Sequence, residues 1–313
     1  MHMTRLALIL TLFFLAAMPA GAAERLTVLL DWFVNPDHAA LVIAKERGMF
    51  EEAGLDVSLV PPADPSAPPR LVAAGQADLA ISYQPQLHVQ VDGGLPLARI
   101  GALVQVPLNS LVVLEARGIQ SLGDLKGKTV GYSVGGFEDA VLGAMLATAG
   151  LTLEDVKLVN INFSLSPSLI TGNVDAVIGA FRNFELNQLE IEGHKGKAFL
   201  PEEHGVPAYE ELIVVSHKDK TGDPRFATFL KVVEQATLWL ADHPDEGWEM
   251  FVAAHPDLDD ELNKRAWRDT LPKLSRHPAS LDAAGYQAFA EFMRDAGLIQ
   301  SVPPLETYAV ELK

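Results

Sequence analysis

The residues of this chain best suited to recognition chemistry fall in the stretch Leu30-Asp31-Trp32-Phe33-Val34-Asn35-Pro36-Asp37-His38-Ala39. It offers a carboxylate at Asp31, an indole face at Trp32, an amide at Asn35 and an imidazole at His38. Two further clusters share this character: Tyr83-Gln84-Pro85-Gln86 and Phe181-Arg182-Asn183-Phe184-Glu185. Aromatic faces with a carboxylate and amides at their edge suit a flat heterocycle carrying an amino group. Gly135 and Gly136, just before Phe137, could bring backbone N–H groups close to such a ligand or simply make a tight turn.

Other motifs carry less. Gly131-Tyr132-Ser133-Val134-Gly135 matches the G-x-S-x-G of hydrolase nucleophile elbows, a short pattern easily met in a chain with 24 glycines. The long helical tail also leaves too few βα units after it for that fold, so Ser133 is read as a structural or cleft-lining residue. Gly127-Lys128-Thr129 lacks the spacing of a phosphate loop and opens a strand instead of following one. The nine histidines include no pair at metal-ligand spacing. No metal and no cofactor are expected.

The elements that must position these clusters follow from hydrophobic patterning. The apolar run Leu26 to Leu30 predicts a strand, and Asn35-Pro36-Asp37 supplies an N-cap, a proline at the first helical position and an acid in the first turn. Strands are also expected at Leu55–Val60, Asp78–Ser82, Lys128–Ser133 and Val156–Asn162. Gly75-Gln76-Ala77-Asp78 and Gly172-Asn173-Val174-Asp175 each join a helix end to an apolar strand, and each strand leads to an aromatic residue, Tyr83 or Phe181. This one internal repeat predicts two similar α/β lobes. The apolar runs Ser110–Glu115 and Leu212–Ser216 are expected to carry the chain between them. After Pro224 the spacing of Phe226, Phe229, Leu230, Val233, Ala236 and Leu240 is helical, and that tail is expected on lobe one. Two lobes with two crossings and a cleft make a clamp.

Residues 1–23 read as an export signal: Arg5, an apolar core Leu6–Ala17, then small residues at Ala20–Ala23. Without it the chain carries 23 basic and 41 acidic residues. That field disfavours nucleic acid and anionic surfaces, although solubility alone would account for it. The absence of cysteine excludes disulfides, thiolate chemistry and a lipid-modified amino-terminal cysteine. A protein diffusing freely in the bacterial periplasm, without a lipid anchor, is the expectation.

With these residues assembled, residues 26–313 resemble the SsuA/THI5-like (NMT1-like) family of type II periplasmic binding proteins. The resemblance rests on Leu30-Asp31-Trp32 with Asn35-Pro36-Asp37-His38-Ala39, Gly75-Gln76-Ala77-Asp78, Leu125-Lys126-Gly127-Lys128 with Val130-Gly131-Tyr132, Gly172 to Ala176 with Gly179, Asn183 with Glu185, and Gly205-Val206-Pro207 with Tyr209 to Leu212. It implies an α/β fold of two Rossmann-like lobes joined by two crossover strands. Lobe one would be 24–112 with 212–313, and lobe two 113–211. It further implies a monomeric substrate-binding component of an ABC importer, with a membrane permease as partner and a thiamine pyrimidine precursor as ligand.

In that reading Trp32, Tyr83 and Phe181 wall the ring, while Asp31, Asn35, Gln84, Asn183 and Glu185 bond its edge. Gly135, Gly136 and Phe137 close the lobe-two side, and His38 orients Asp31 or the helix start. The family also contains pyrimidine synthases, whose reactive lysine and histidine would align with Ser82 and Gln86, and binders of sulfonate, taurine or nitrate. A sensor module using the same clamp is a further alternative.

Overall fold

The computed structural model describes residues 23–312. The expected export signal falls almost wholly outside them. The described chain builds two five-stranded sheets. The first contains β1 (Glu24–Leu29), β2 (Leu55–Val60), β3 (Leu79–Ser82), β4 (Leu97–Val104) and β10 (Leu212–His217). The second contains β5 (Asn109–Leu114), β6 (Thr129–Tyr132), β7 (Lys157–Asn160), β8 (Ala176–Phe181) and β9 (Gly196–Phe199).

The strand orders, β2-β1-β3-β10-β4 and β7-β6-β8-β5-β9, are the same plan twice. In each sheet three strands run parallel, and the strand between the third and the outermost runs antiparallel to both. That antiparallel strand comes from the chain crossing between lobes. Strands β3, β4 and β5 are buried along their whole length and β10 up to its last residue, as expected where helices cover both faces.

The repeated aspartate has a structural job. Asp78 Oδ2 accepts the Thr27 backbone N–H at 2.9 Å, and Asp175 Oδ2 accepts the Thr129 N–H, also at 2.9 Å. Each ties the start of one parallel strand to its neighbour, β3 to β1 and β8 to β6. In an open α/β sheet the carboxyl ends of such strands form the ligand crevice, and here Asp31, Tyr83, Ser133 and Phe181 all emerge there.

The two crossings are fastened together. The Glu211 carboxylate accepts the backbone N–H groups of Leu108 at 2.6 Å and Asn109 at 2.8 Å. Beside it, Glu210 takes two hydrogen bonds from the fully buried Arg99, at 3.1 and 2.9 Å, and one from the Tyr286 hydroxyl at 2.6 Å. Such buried, paired charges resist separation because removing one partner leaves the other buried and alone. Ser110–Glu115 lies mostly within β5, so the chain leaves the first sheet over 105–108, and a cut between 112 and 113 would divide that strand.

The carboxy-terminal helices serve both lobes. Helix Pro224–Asp242 packs on helix Ala39–Glu46, and Phe229 stacks on Phe50 at 5.4 Å, as the helical spacing led one to expect. Helix Glu261–Thr270 does more: it touches the Pro36–His38 turn of the first lobe and helix Glu185–Ile191 of the second. No described helix is long and apolar enough to cross a membrane.

Candidate functional site

The turn after β1 folds as its residues dictate. Asn35 Oδ1 accepts the Asp37 N–H at 2.8 Å, Pro36 occupies the first helical turn, and the Asn35 N–H donates to His38 Nδ1 at 3.4 Å. With Nδ1 accepting, Nε2 is left as the donor, and it lies 2.9 Å from Asp31 Oδ1. The other carboxylate oxygen, Oδ2, accepts the Tyr83 hydroxyl at 2.9 Å. Asp31 is therefore buried but held on both sides, with its remaining lone pairs free to meet a ligand.

Between the lobes lies a pocket of about 430 Å³, counting its open mouth. The first lobe lines it with Asp31, Trp32, Asn35, Asp37 and Tyr83. The second contributes Glu138, Leu165, Gly179, Phe181, Phe184 and Glu185. Tyr83 meets Phe181 edge-on across the pocket at 6.4 Å, and Trp32 meets Phe163 edge-on at 4.7 Å. Four carboxyl groups and no basic side chain line this space. Among the described residues no group of three or more His, Asp or Glu is arranged to hold a metal.

The two glutamates are equivalents in the two halves of the second lobe. Glu138 and Glu185 each begin a helix directly after a phenylalanine, Phe137 or Phe184, of nearly identical backbone conformation. Each turns back to accept the N–H at a strand end, Ser133 for Glu138 and Phe181 for Glu185, both at 2.6 Å. Burial nevertheless outweighs these bonds and pushes both groups up to about 8. Near neutral pH they hold protons, so each can donate as well as accept. Asp37 is pushed up to about 6, again by burial, opposed by His38 and by the Thr270 and Asn183 side chains. Gly179 makes room for this arrangement: at φ +95° it occupies a conformation favouring glycine, and a Cβ there would overlap the Glu138 carboxyl.

Of the residues singled out in the sequence, Asp31, Trp32, Asn35, Tyr83, Phe181 and Glu185 come together in the pocket, with His38 behind Asp31. The others lie elsewhere. Gln84 opens the helix Gln84–Asp92, and its Oε1 accepts the Glu210 N–H at 2.8 Å on the hinge side. Phe137 is buried behind Tyr83, stacked on it at 4.6 Å, so it backs the wall and does not form it. Gly135 and Gly136 sit outside the lining: the Gly136 N–H donates to Asp139 Oδ1, and a Cβ on Gly136 would touch Val89 of the first lobe. Asn183 bonds protein groups instead of lining the pocket. Its Nδ2 donates to Asp37 Oδ1 and to Thr270 Oγ1, both at 2.7 Å. The Ser133 hydroxyl donates to the Asn162 carbonyl, with no histidine bonded to it among the described residues.

Asp37, Glu138, Leu165, Gly179 and Phe184 were not anticipated as lining residues. The signal that could have found Glu138 is the repeated Phe-Glu pair, 137–138 and 184–185. Asp37 stands inside the recognised stretch, where its helix-start position gave it an adequate role.

Two lobes of one topology, joined by two crossings and closing on a single cleft, define a periplasmic-binding-protein fold. The solved alkanesulfonate-binding protein SsuA from Xanthomonas axonopodis superposes with a TM-score of 0.69 at 18% identity, covering 89% of this chain and 96% of that one. The chain belongs to the NMT1/THI5-like family, whose pattern matches residues 35–247. It is 55% identical over 297 residues, 95% of each chain, to a putative thiamine biosynthesis protein of Haemophilus influenzae. Identity is 33% to a formylaminopyrimidine-binding protein of Halalkalibacterium halodurans, over 86% of this chain and 84% of that one. A 4-amino-5-hydroxymethyl-2-methylpyrimidine phosphate synthase of Legionella pneumophila is more distant, at 27% over 83% of each chain.

Proposed function

We propose that this protein is the monomeric, periplasmic substrate-binding component of an ABC importer and that its ligand is a thiamine pyrimidine precursor of the hydroxymethyl- or formylaminopyrimidine type. The observation that carries this reading is the pocket lining, four carboxyl groups framed by Trp32, Tyr83, Phe181 and Phe184 with no basic side chain. An aminopyrimidine edge presents an exocyclic NH₂ donor beside a ring-nitrogen acceptor. A protonated Glu185 can accept from the first and donate to the second, while the ring lies among the aromatic walls. Contacts to both lobes would favour the closed clamp, the form a membrane permease would recognise.

The same lining weighs against sulfonate, taurine or nitrate, since a sulfonate group or nitrate held among buried carboxyls without a basic side chain would be repelled and left unpaired. The synthase reading finds little support at the positions aligned with the reactive residues. Ser82 Oγ donates to Gln86 Oε1 at 2.9 Å, and neither residue can form a Schiff base or supply an imidazole. The test is calorimetric titration of the mature protein with 4-amino-5-hydroxymethyl-2-methylpyrimidine, its formylaminomethyl analogue, taurine and nitrate. Binding of a pyrimidine and of neither taurine nor nitrate is expected; saturable binding of taurine or nitrate alone would overturn the assignment.

A further inference from the structure

A second chamber of about 660 Å³, counting the open solvent at its mouth, adjoins the pocket and shares Trp32, Asn35, Leu165, Phe184 and Glu185 with it. It is too large for the small substituent of a single pyrimidine ring, and its walls are made for more than water. Phe33 and Phe163 lie at 4.4 Å, inclined by 37°, and Phe163 meets Trp32 edge-on at 4.7 Å. Phe33 is 52% exposed, the most exposed of the large apolar side chains described. Farther in, Ser166 and Asn263 line the chamber at 1% and 4% exposure. The Ser166 hydroxyl and the Asn263 side-chain oxygen have no hydrogen-bond partner. Buried polar atoms are rarely left so, and the asparagine oxygen can only accept. No Lys, Arg or His lines either chamber.

We infer that the cleft takes a two-ring ligand: an aminopyrimidine in the inner pocket joined through a short link to a second ring in the outer chamber, ending in a neutral hydroxyl. The aromatic walls accept a flat second ring and favour one that is cationic. The terminal hydroxyl donates to Asn263 Oδ1 and accepts from the Ser166 hydroxyl. A terminal phosphate would find no positive charge there. This inference rests on the aminopyrimidine reading and adds to it the class of compound taken.

The test uses three probes on the mature protein by titration calorimetry: 4-amino-5-hydroxymethyl-2-methylpyrimidine, thiamine, in which the aminopyrimidine is linked through one carbon to a cationic ring bearing a hydroxyethyl arm, and thiamine monophosphate. Thiamine is expected to bind at least about tenfold more tightly than the single ring and at least about tenfold more tightly than its monophosphate. Gln188→Trp, which fills the outer chamber from helix Glu185–Ile191, should abolish that advantage while single-ring affinity stays within about twofold. Ser166→Ala, a smaller change, should weaken thiamine by about threefold or more. If the single ring binds as tightly as thiamine, the two-ring inference is wrong and the pyrimidine reading stands. If no pyrimidine compound binds, both are overturned.

Discussion

Asn183 of the second lobe donates from Nδ2 to Oδ1 of Asp37 in the first, at 2.7 Å across the cleft. The same carboxylate oxygen accepts the Thr270 hydroxyl at 3.0 Å, so one acid joins both lobes and the carboxy-terminal helix. All three residues are buried; Asp37 lines the ligand pocket, while Asn183 and Thr270 stand behind it, outside the lining.

This latch should set the balance between open and closed clamp. Asn183→Ala removes a donor from a buried carboxylate, a change that typically costs about 1.5–3 kcal/mol. Ligand affinity is expected to fall about tenfold or more, with a larger radius of gyration by small-angle scattering at subsaturating ligand. An unchanged dissociation constant and radius would show that the lobes close without it.

Trp32 forms a wall of the pocket and meets Phe163 of the opposite lobe. Trp32→Ala should weaken binding by about tenfold or more through lost stacking and buried area. Equal affinity in the variant would remove Trp32 from the site.

Gly179→Ala tests the packing beneath the pocket. A methyl group there meets the Glu138 carboxyl, and φ +95° is unfavourable for any residue with a Cβ. Destabilisation of about 2 kcal/mol or more by urea unfolding is expected, together with impaired ligand binding. A variant of wild-type stability and affinity would mean that Glu138 can move aside freely.

The buried acids make stability depend on pH with a definite sign. Glu138 and Glu185 are raised to about 8 and Glu211 to about 7, all by burial. Between pH 6.5 and 8 the folded chain holds more protons at these sites than the unfolded chain, so stability should fall as pH rises. The slope is of order 1 kcal/mol per pH unit for each such acid. Below pH 6.5 the trend is opposed by His88, lowered to about 4 by burial, which the unfolded chain protonates first. Urea unfolding at pH 6.5, 7.3 and 8 should show the decline, and Glu185→Gln should flatten it. A flat wild-type profile would contradict the buried, proton-holding assignment.

What could be read in advance was what short-range physics controls. The Asn35-Pro36-Asp37-His38 turn is legible because its hydrogen bonds close within four residues. The repeated aspartates announce the two lobes because each performs the same strand-tying job. Gln84 was misplaced because the helix begins at that residue and turns its side chain to the hinge. Asn183 meets Asp37 at a sequence separation of 146, a relationship no local pattern encodes. Strand β4 was not anticipated, since Arg99 and Gly101 interrupt its apolar pattern; Arg99 is tolerated at full burial because the Glu210 carboxylate and the Ser280 carbonyl meet it.

The central claim, that an acidic, aromatic cleft selects a neutral or cationic aminopyrimidine, is tested most directly by native mass spectrometry of the mature protein purified from its own host, followed by denaturation and identification of what is released. The account requires an aminopyrimidine compound, bound without a covalent link. Release of a sulfonate, nitrate or another anion, or a pyridoxal adduct covalently attached to the chain, would contradict it.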